Sequence, residues 1–322
     1  MLSSVARHAS LNIQHSKLHT EVLAPSLLTV GGLVRYGTRR FRAARLAFGH
    51  GTRNARDEAA YLALHALNLP PDAAADAFDR RVSPRDARRV LTLFERRIRS
   101  RKPAAYLTRE AWLGDFHFHV DERVVVPRSH IAGLLREKLA PWIPDRRAIK
   151  SILDLCTGSG CLAILAADSF PRAKIDAADV ASEALAVARI NVQRYRLSRR
   201  IRLVKSDMFS ALRGKHYDLI VSNPPYVTTA GMRRLPLEYR HEPGVALAGG
   251  RDGLDVVRRI LLQAPAHLNP GGLLVVEVGS GRRRVEHAFP GVAFTWPEGA
   301  ERDTVFVVER EEISRALGVC RS

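Results

Sequence analysis

The sequence predicts a mostly parallel, doubly wound α/β sheet preceded by a small helical block. Three observations carry this. From Ser151 onward, short apolar runs alternate with amphipathic helical stretches, the order of a parallel sheet covered by helices on both faces. Residues 25 to about 105 are instead Ala-, Arg- and Leu-rich with helical spacing. Between the blocks, residues 112–126 alternate and are rich in β-branched side chains, a hairpin pattern. A chain of 322 residues that is 46% hydrophobic is long enough for one large domain and a smaller one. The expected divisions are an extension over 1–24, a helical domain over 25–110, a hairpin and linker over 111–150, and an α/β domain over 151–322.

Turn signals punctuate the helical block at Gly49-His50-Gly51-Thr52, Pro70-Pro71-Asp72 and Ser83-Pro84. Ala60, Tyr61, Leu64 and Leu67 recur at helical spacing within 57–69. Ser83 reads as an N-cap with Pro84 at the first helical position, and Val90, Leu91, Phe94 and Ile98 then form one apolar stripe. Gly31-Gly32 interrupts what should be the first helix, at about 1 kcal/mol per glycine relative to alanine. After the hairpin, a helix over 131–139 and a polar break over 141–150 (a hinge or a loop) lead into the second block. There the patterns give strands at 151–155, 174–179, 202–204, 218–221 and 273–278, and helices at 161–168, 183–195 and 253–268. Residues 292–296 and 304–309 are expected to close the chain as an antiparallel hairpin.

Composition narrows the function classes. No apolar run approaches the ~20 residues of a membrane span. The first 22 residues are Ser- and His-rich and poor in acid, without the apolar core of a secretory signal, so they read as a flexible extension of a cytoplasmic protein. Three cysteines, Cys156, Cys161 and Cys320, make neither a disulfide framework nor a zinc site, and no metal is expected. The net charge of +18 is uneven: residues 1–150 hold 27 Lys+Arg against 14 Asp+Glu, a balance of +13, and the rest carries +5. A basic first half suits a polyanionic setting such as rRNA or a ribosomal particle. An arginine-rich composition on solvated helix faces accounts for it equally well.

Two constellations carry chemistry. Asp154, Thr157, Gly158, Ser159 and Gly160 lie between a predicted strand and a predicted helix, where glycines allow close backbone approach and the helix start receives a carboxylate. Asp179, 21 residues after Gly158 at the end of the next strand, is placed to accept from two ribose hydroxyls. Asp207 follows the third strand, suited to an adenine amino group, with Met208 or Phe209 against the ring. This is a nucleoside pocket. It suits NAD or S-adenosylmethionine, and the short glycine pattern with no pyrophosphate cradle favours the latter.

The second constellation is Asn223-Pro224-Pro225-Tyr226, after a fourth strand and level with the pocket. The Asn223 side-chain oxygen and the Pro224 carbonyl can accept both N–H bonds of an amino-type nitrogen. Pro225 keeps that geometry rigid, and Tyr226 can stack on a planar amide or base.

In these motifs the chain resembles the HemK-like protein-glutamine methyltransferases. The Asp154–Cys161 turn, Asp179, Ser206-Asp207-Met208-Phe209 and Ser222–Tyr226 occur in that family's order. Lys102–Leu107 and Val126-Pro127-Arg128 are similar to its upstream motifs. Phe48–Thr52, Ala105–Thr108, Val126–Ser129 and Glu238–Pro243 resemble the PrmB branch, which acts on a large-subunit ribosomal protein, L-three. The resemblance implies a Rossmann-like, seven-stranded methyltransferase sheet using S-adenosylmethionine, preceded by a helical substrate-recognition domain. It also implies methyl transfer to the N5 amide of a glutamine, with Arg128, Glu242 and Pro243 as candidate substrate contacts. Release-factor glutamine, adenine N6 in DNA, and a non-catalytic assembly factor remain the alternatives. The chain departs from the pattern at His130, at Gly133 and in the basic Gly281–Arg284 run.

Overall fold

The computed structural model describes residues 24–70, 75–297 and 303–318. The predicted N-terminal extension up to residue 23, the Pro71-Asp72 part of one turn and Cys320 lie outside them. The chain divides into two compact units, with Thr108 ending the first and Arg109 beginning the second.

The first unit is helical: α1 (Val30–Ala43), α2 (Ala55–Ala66), α3 (Pro84–Ser100) and α4 (Ala104–Thr108). Side-chain caps start the three long helices. The oxygens of Thr29, Asn54 and Ser83 accept from backbone N–H groups that have no partner in the helix. Pro84 follows Ser83 at the first helical position, as the sequence indicates. The double glycine does not interrupt α1 but falls in its first turn, and a Cβ at Gly32 would lie 1.7 Å from the Ser26 carbonyl oxygen. Leu33, Phe41, Leu62, Val90 and Phe94 form the core, with Phe41 and Phe94 packed edge to face.

That core encloses an ion pair. Arg97 Nε lies 2.7 Å from Glu58 Oε1, and the two side chains are 0% and 1% exposed. Thr52 Oγ1 donates to Glu58 Oε2 at 3.0 Å, and Arg97 Nη2 donates to the Ala47 carbonyl at 3.1 Å. Burial raises the Glu58 pKa, while Arg97, Thr52 and His50 act to lower it. The Phe48–Thr52 segment is therefore wrapped around a buried carboxylate. Glu58→Ala would strand the Arg97 charge and should cost about 3–5 kcal/mol in urea unfolding. Replacing both partners by apolar residues (Glu58→Leu with Arg97→Met) should recover most of that loss.

The second unit opens with an antiparallel hairpin, β1 (Glu110–Leu113) and β2 (Phe116–His119). It is shorter than the sequence pattern suggests. Asp121 turns the chain by accepting from the Arg123 N–H at 3.1 Å, and Val126 gives its N–H to the Glu242 side chain rather than to a strand. Helix α5 (Ile131–Arg136) ends early because Lys138 and Leu139 adopt left-handed backbone conformations. The sheet and its helices follow as β3 (Ser151–Leu155), α6 (Cys161–Ser169), β4 (Lys174–Asp179), α7 (Ser182–Arg194), β5 (Ile201–Lys205), β6 (Tyr217–Ser222), α8 (Thr229–Arg234), α9 (Asp255–Gln263), β7 (Leu268–Glu277), α10 (Arg282–Ala288), β8 (Val305–Glu309) and α11 (Arg310–Leu317).

The strand order is β5-β4-β3-β6-β7-β8, parallel except for β8. Among the described residues, six strands form the sheet where seven are expected. The seventh is reduced to one antiparallel bridge, Thr295 with Val307, because Pro297 offers no N–H to continue the ladder. The predicted helix over 253–268 stops at Gln263, and a 3-10 turn containing Pro265 leads into β7. Helices α8, α10 and α11 lie in stretches to which the sequence pattern assigns no element. Among the described residues, no helix is long and apolar enough to cross a membrane, and no group of three metal-binding side chains is gathered. From β3 the chain winds outward through β4 to β5, whereas β6 leads the other way through β7. The carboxyl ends of β3 and β6 thus flank the topological switch point, where open α/β sheets bind ligands.

Candidate active site

The carboxyl ends of β3 to β6 open into a cavity of about 870 Å³, within the range of small-molecule pockets. Its shape begins with Asp154, which is wholly buried in β3. Asp154 Oδ2 accepts from Thr157 Oγ1 at 2.5 Å and from the Ala163 N–H, in the first turn of α6, at 2.9 Å. The carboxyl group therefore ties the glycine turn to donors that the helix start leaves unpaired. Burial pushes its pKa up to about 7, against the pull of those two hydrogen bonds. Within the turn, Cys156 adopts a left-handed conformation (φ +62°), which costs a residue with a Cβ roughly 1–2 kcal/mol.

Asp179 ends β4 on the cavity wall. Its Oδ2 accepts the Gly158 N–H and its Oδ1 the Ala181 N–H, both at 2.9 Å. Burial raises its pKa and these backbone bonds oppose the rise. Each carboxylate oxygen retains a further acceptor position. A Cβ at Gly158 would meet nothing within 4 Å, so a ligand can lie directly against the turn. Ser159 lines the cavity, whereas Gly160 is turned toward Ala188 of α7. Thr157 lines the cavity as well.

Asp207 and Met208 also line the cavity. Asp207 is exposed and ion-paired with Arg259 Nη2 at 2.8 Å, a surface pair worth at most about 1 kcal/mol that a ligand can displace. Phe209, expected against a ligand ring, points the other way. It is 2% exposed in the core of the sheet and stacks on His267 with ring centroids 4.6 Å apart. Of the two candidates, Met208 is the one that faces the cavity.

Asn223, Pro224, Pro225 and Tyr226 follow β6 and line the same cavity. Neither the Asn223 side chain nor the Pro224 carbonyl has a hydrogen-bond partner among the described residues. Three glycines crowd Tyr226. A Cβ at Gly249 would lie 2.7 Å from Tyr226 Cα, one at Gly253 2.4 Å from its carbonyl oxygen, and one at Gly279 2.7 Å from Cε2 of its ring. Val227 extends the clamp, donating its N–H to the Leu247 carbonyl and accepting from the Gly249 N–H, each at 2.9 Å.

The candidate substrate contacts separate in space. Arg128 and Pro243 line the cavity. The Glu242 side chain is fully buried: it accepts from both Arg128 Nη1 and Nη2, the latter at 2.6 Å, and from the Val126 N–H at 3.0 Å. Glu242 therefore holds Arg128 rather than meeting a substrate. Arg128 also lies over the Tyr239 ring, 5.5 Å from its centroid. The sequence reading passed over Asn191, whose amide bonds the Ser159 carbonyl, the His119 carbonyl and the His119 N–H, pinning hairpin and glycine turn to α7. It also passed over Arg259, Glu277 and the glycine set. The Gly249-Gly250 pair was a visible signal, and so was a lone acid ending the apolar strand Leu273–Glu277.

The sheet order and the placement of this pocket define a Rossmann-like methyltransferase, and a family model described as methyltransferase small domain matches residues 136–235. Over 289 residues the chain is 53% identical to the ribosomal protein uL3 glutamine methyltransferase of Bordetella pertussis, covering 89% of this chain and 97% of that one. The protein of the same name from Neisseria meningitidis is 52% identical over 291 residues (90% and 96%), and that from Burkholderia pseudomallei 49% over 298 (90% and 97%). The chain belongs to the ribosomal protein uL3 glutamine methyltransferase family.

One consequence of the turn is measurable without any ligand. The Asp154 pKa is raised above its unfolded value, so the stability tied to the protonated carboxyl is full below about pH 4 and is lost as pH rises through about 7. Asp154→Asn should preserve the turn and abolish this dependence. The difference in unfolding free energy between parent and variant should shift in the variant's favour by about 3–4 kcal/mol from pH 4 to 7.5; a difference independent of pH would contradict the assignment.

Proposed function

We propose that this chain transfers a methyl group from S-adenosylmethionine to the side-chain amide nitrogen, N5, of a glutamine in ribosomal protein uL3. The observation that carries the reading is the pair of uncommitted acceptors, Asn223 and Pro224, at the strand end beside the nucleoside pocket. The membership of the family supports the choice of substrate.

The pocket residues fit the cofactor. Asp179 offers acceptors for the ribose hydroxyls, the open face at Gly158 admits a close approach, and Met208 with Asp207 suits an adenine ring and its amino group. S-adenosylmethionine bound there supplies the activated methyl group. The chain's own contribution is orientation. An amide nitrogen is a poor nucleophile because its lone pair is delocalised into the carbonyl. Asn223 Oδ1 and the Pro224 carbonyl accept its two hydrogens and so fix the direction in which the nitrogen faces, which lowers the entropic part of the barrier. Tyr226 supplies a flat wall for the planar amide, and Pro225 with the surrounding glycines keeps that wall still.

In this reading the helical unit recognises the substrate, and the positive balance of residues 1–150 suits a pre-ribosomal particle in which rRNA lies close to uL3. The reaction then belongs in the cytoplasm, where that particle is assembled.

Purified protein and labelled S-adenosylmethionine, incubated separately with unmethylated uL3, a release factor and duplex DNA, should place label on a uL3 glutamine alone. Label on the release factor would move the substrate, and label on DNA would overturn the amide reading. Asn223→Ala should lower turnover by about 100-fold or more while leaving the cofactor Kd within about two-fold by calorimetry. Asp179→Ala should do the reverse in kind, weakening cofactor binding by about ten-fold or more.

A further inference from the structure

Glu277 ends β7, 1% exposed, immediately behind Tyr226. Its Oε2 accepts two hydrogen bonds, from Ser129 Oγ at 2.6 Å and from the His130 N–H at 3.0 Å. With the carboxylate held in this way, its other oxygen, Oε1, faces the Tyr226 hydroxyl at 3.4 Å, its one hydrogen-bond partner among the described residues. Taking this carboxylate out of water is costly, and the donors it meets offset that cost. The three groups that it holds belong to the two walls of the cavity: Ser129 and His130 continue the Val126–Arg128 segment, and Tyr226 closes the Asn223–Tyr226 motif.

We propose that Glu277 is a positioning residue for methyl transfer, acting through the Tyr226 hydroxyl to fix the ring against which the acceptor amide lies. The inference rests on the reading of Asn223–Tyr226 as the amide site. The Tyr226 ring has two restraints. Gly279 packs against its edge, where a Cβ would lie 2.7 Å from Cε2, and Glu277 Oε1 faces its hydroxyl at 3.4 Å, the long end of a hydrogen bond. Ser129 donates to the carboxylate that faces the Tyr226 hydroxyl, so a residue of the upstream Val126–Ser129 motif bears on the ring. Burial raises the pKa of Glu277, and the Ser129 hydroxyl, His130 and the Tyr226 hydroxyl work against the rise. A misplacement of about 1 Å at a near-attack geometry costs on the order of 100-fold in rate, so loss of one restraint on the ring should be read in kcat before it is read in cofactor affinity.

The test is a double-mutant cycle on the full-length chain, with S-adenosylmethionine and the protein substrate that the parent labels. Glu277→Gln keeps the shape of the side chain and both acceptor contacts on one oxygen, and puts an amide N–H where the Tyr226 hydroxyl had an acceptor, so that donation is lost. It should lower kcat about ten-fold, with the cofactor Kd within about two-fold and the unfolding temperature within a few degrees. Tyr226→Phe should lower kcat to a similar extent. The double variant should be no slower than the slower single variant, because both changes remove one and the same contact. Effects that multiply, an unchanged kcat in Glu277→Gln, or a cofactor Kd that weakens as much as kcat would each overturn the proposal. Should Glu277→Gln fail to fold, Ser129→Ala leaves the carboxylate in place with one donor fewer; a fall in kcat at constant cofactor Kd supports the proposal and no fall overturns it. A parent that labels no glutamine would defeat the functional reading itself, an outcome distinct from an active parent whose two effects multiply.

Discussion

A carboxyl group that no solvent reaches organises the cavity. Asp154 sits inside β3, and its bonds to Thr157 and Ala163 set the path of the chain from strand to helix. With that path set, the Gly158 N–H meets Asp179 on the neighbouring strand, and the Ser159 carbonyl meets Asn191 on α7. Asn191 in turn holds both backbone groups of His119, so the position of the β1–β2 hairpin depends on the same turn. The desolvation of one acid is offset by placing its oxygen where the first turn of a helix has spare donors.

The device recurs. Glu242 is buried to hold Val126 and Arg128, Glu277 is buried to hold Ser129 and His130, and Glu58 is buried in the helical unit to hold Thr52 and Arg97. Glu58 and Glu277, on a helix and a strand, join segments without regular structure to regular elements, whereas Glu242 joins two irregular segments to each other. Loops lining a cavity lack the ladder bonds that fix strands and helices, and a buried acid with several donors supplies an equivalent restraint. Glu277 joins two of these segments directly, since it accepts from Ser129 and faces the Tyr226 hydroxyl.

Much of the fold was legible because apolar periodicity is local. Strands β3 to β6 and helices α6 and α7 lie within a residue or two of their predicted bounds, and the cap at Ser83 could be read from Ser-Pro alone. What was not legible depended on distant partners. The segment after His119 has the composition of a strand, but Val126 finds its partner 116 residues away, in Glu242. Phe209 and Met208 are adjacent and similarly apolar, and which of them faces the cavity is decided by His267, far along the chain. Glu242 was placed in the right neighbourhood and given the wrong role, since sequence shows that an acid is present and does not show whether water reaches it. The seventh strand failed for a local reason that could have been weighed, the proline after Trp296.

Gly249 and Gly253 come from one short segment and Gly279 from beyond β7, and none carries a functional group, yet each crowds Tyr226. Every missense change that one nucleotide can make in a glycine codon adds a Cβ, and at these three places the space for that atom is already filled. In a mutational survey such positions would score like the reactive motif itself, at sites where a chemist would find nothing to protonate, bind or attack. Intolerance to change is therefore a poor guide to chemistry around this cavity: part of the machinery is the absence of side chains.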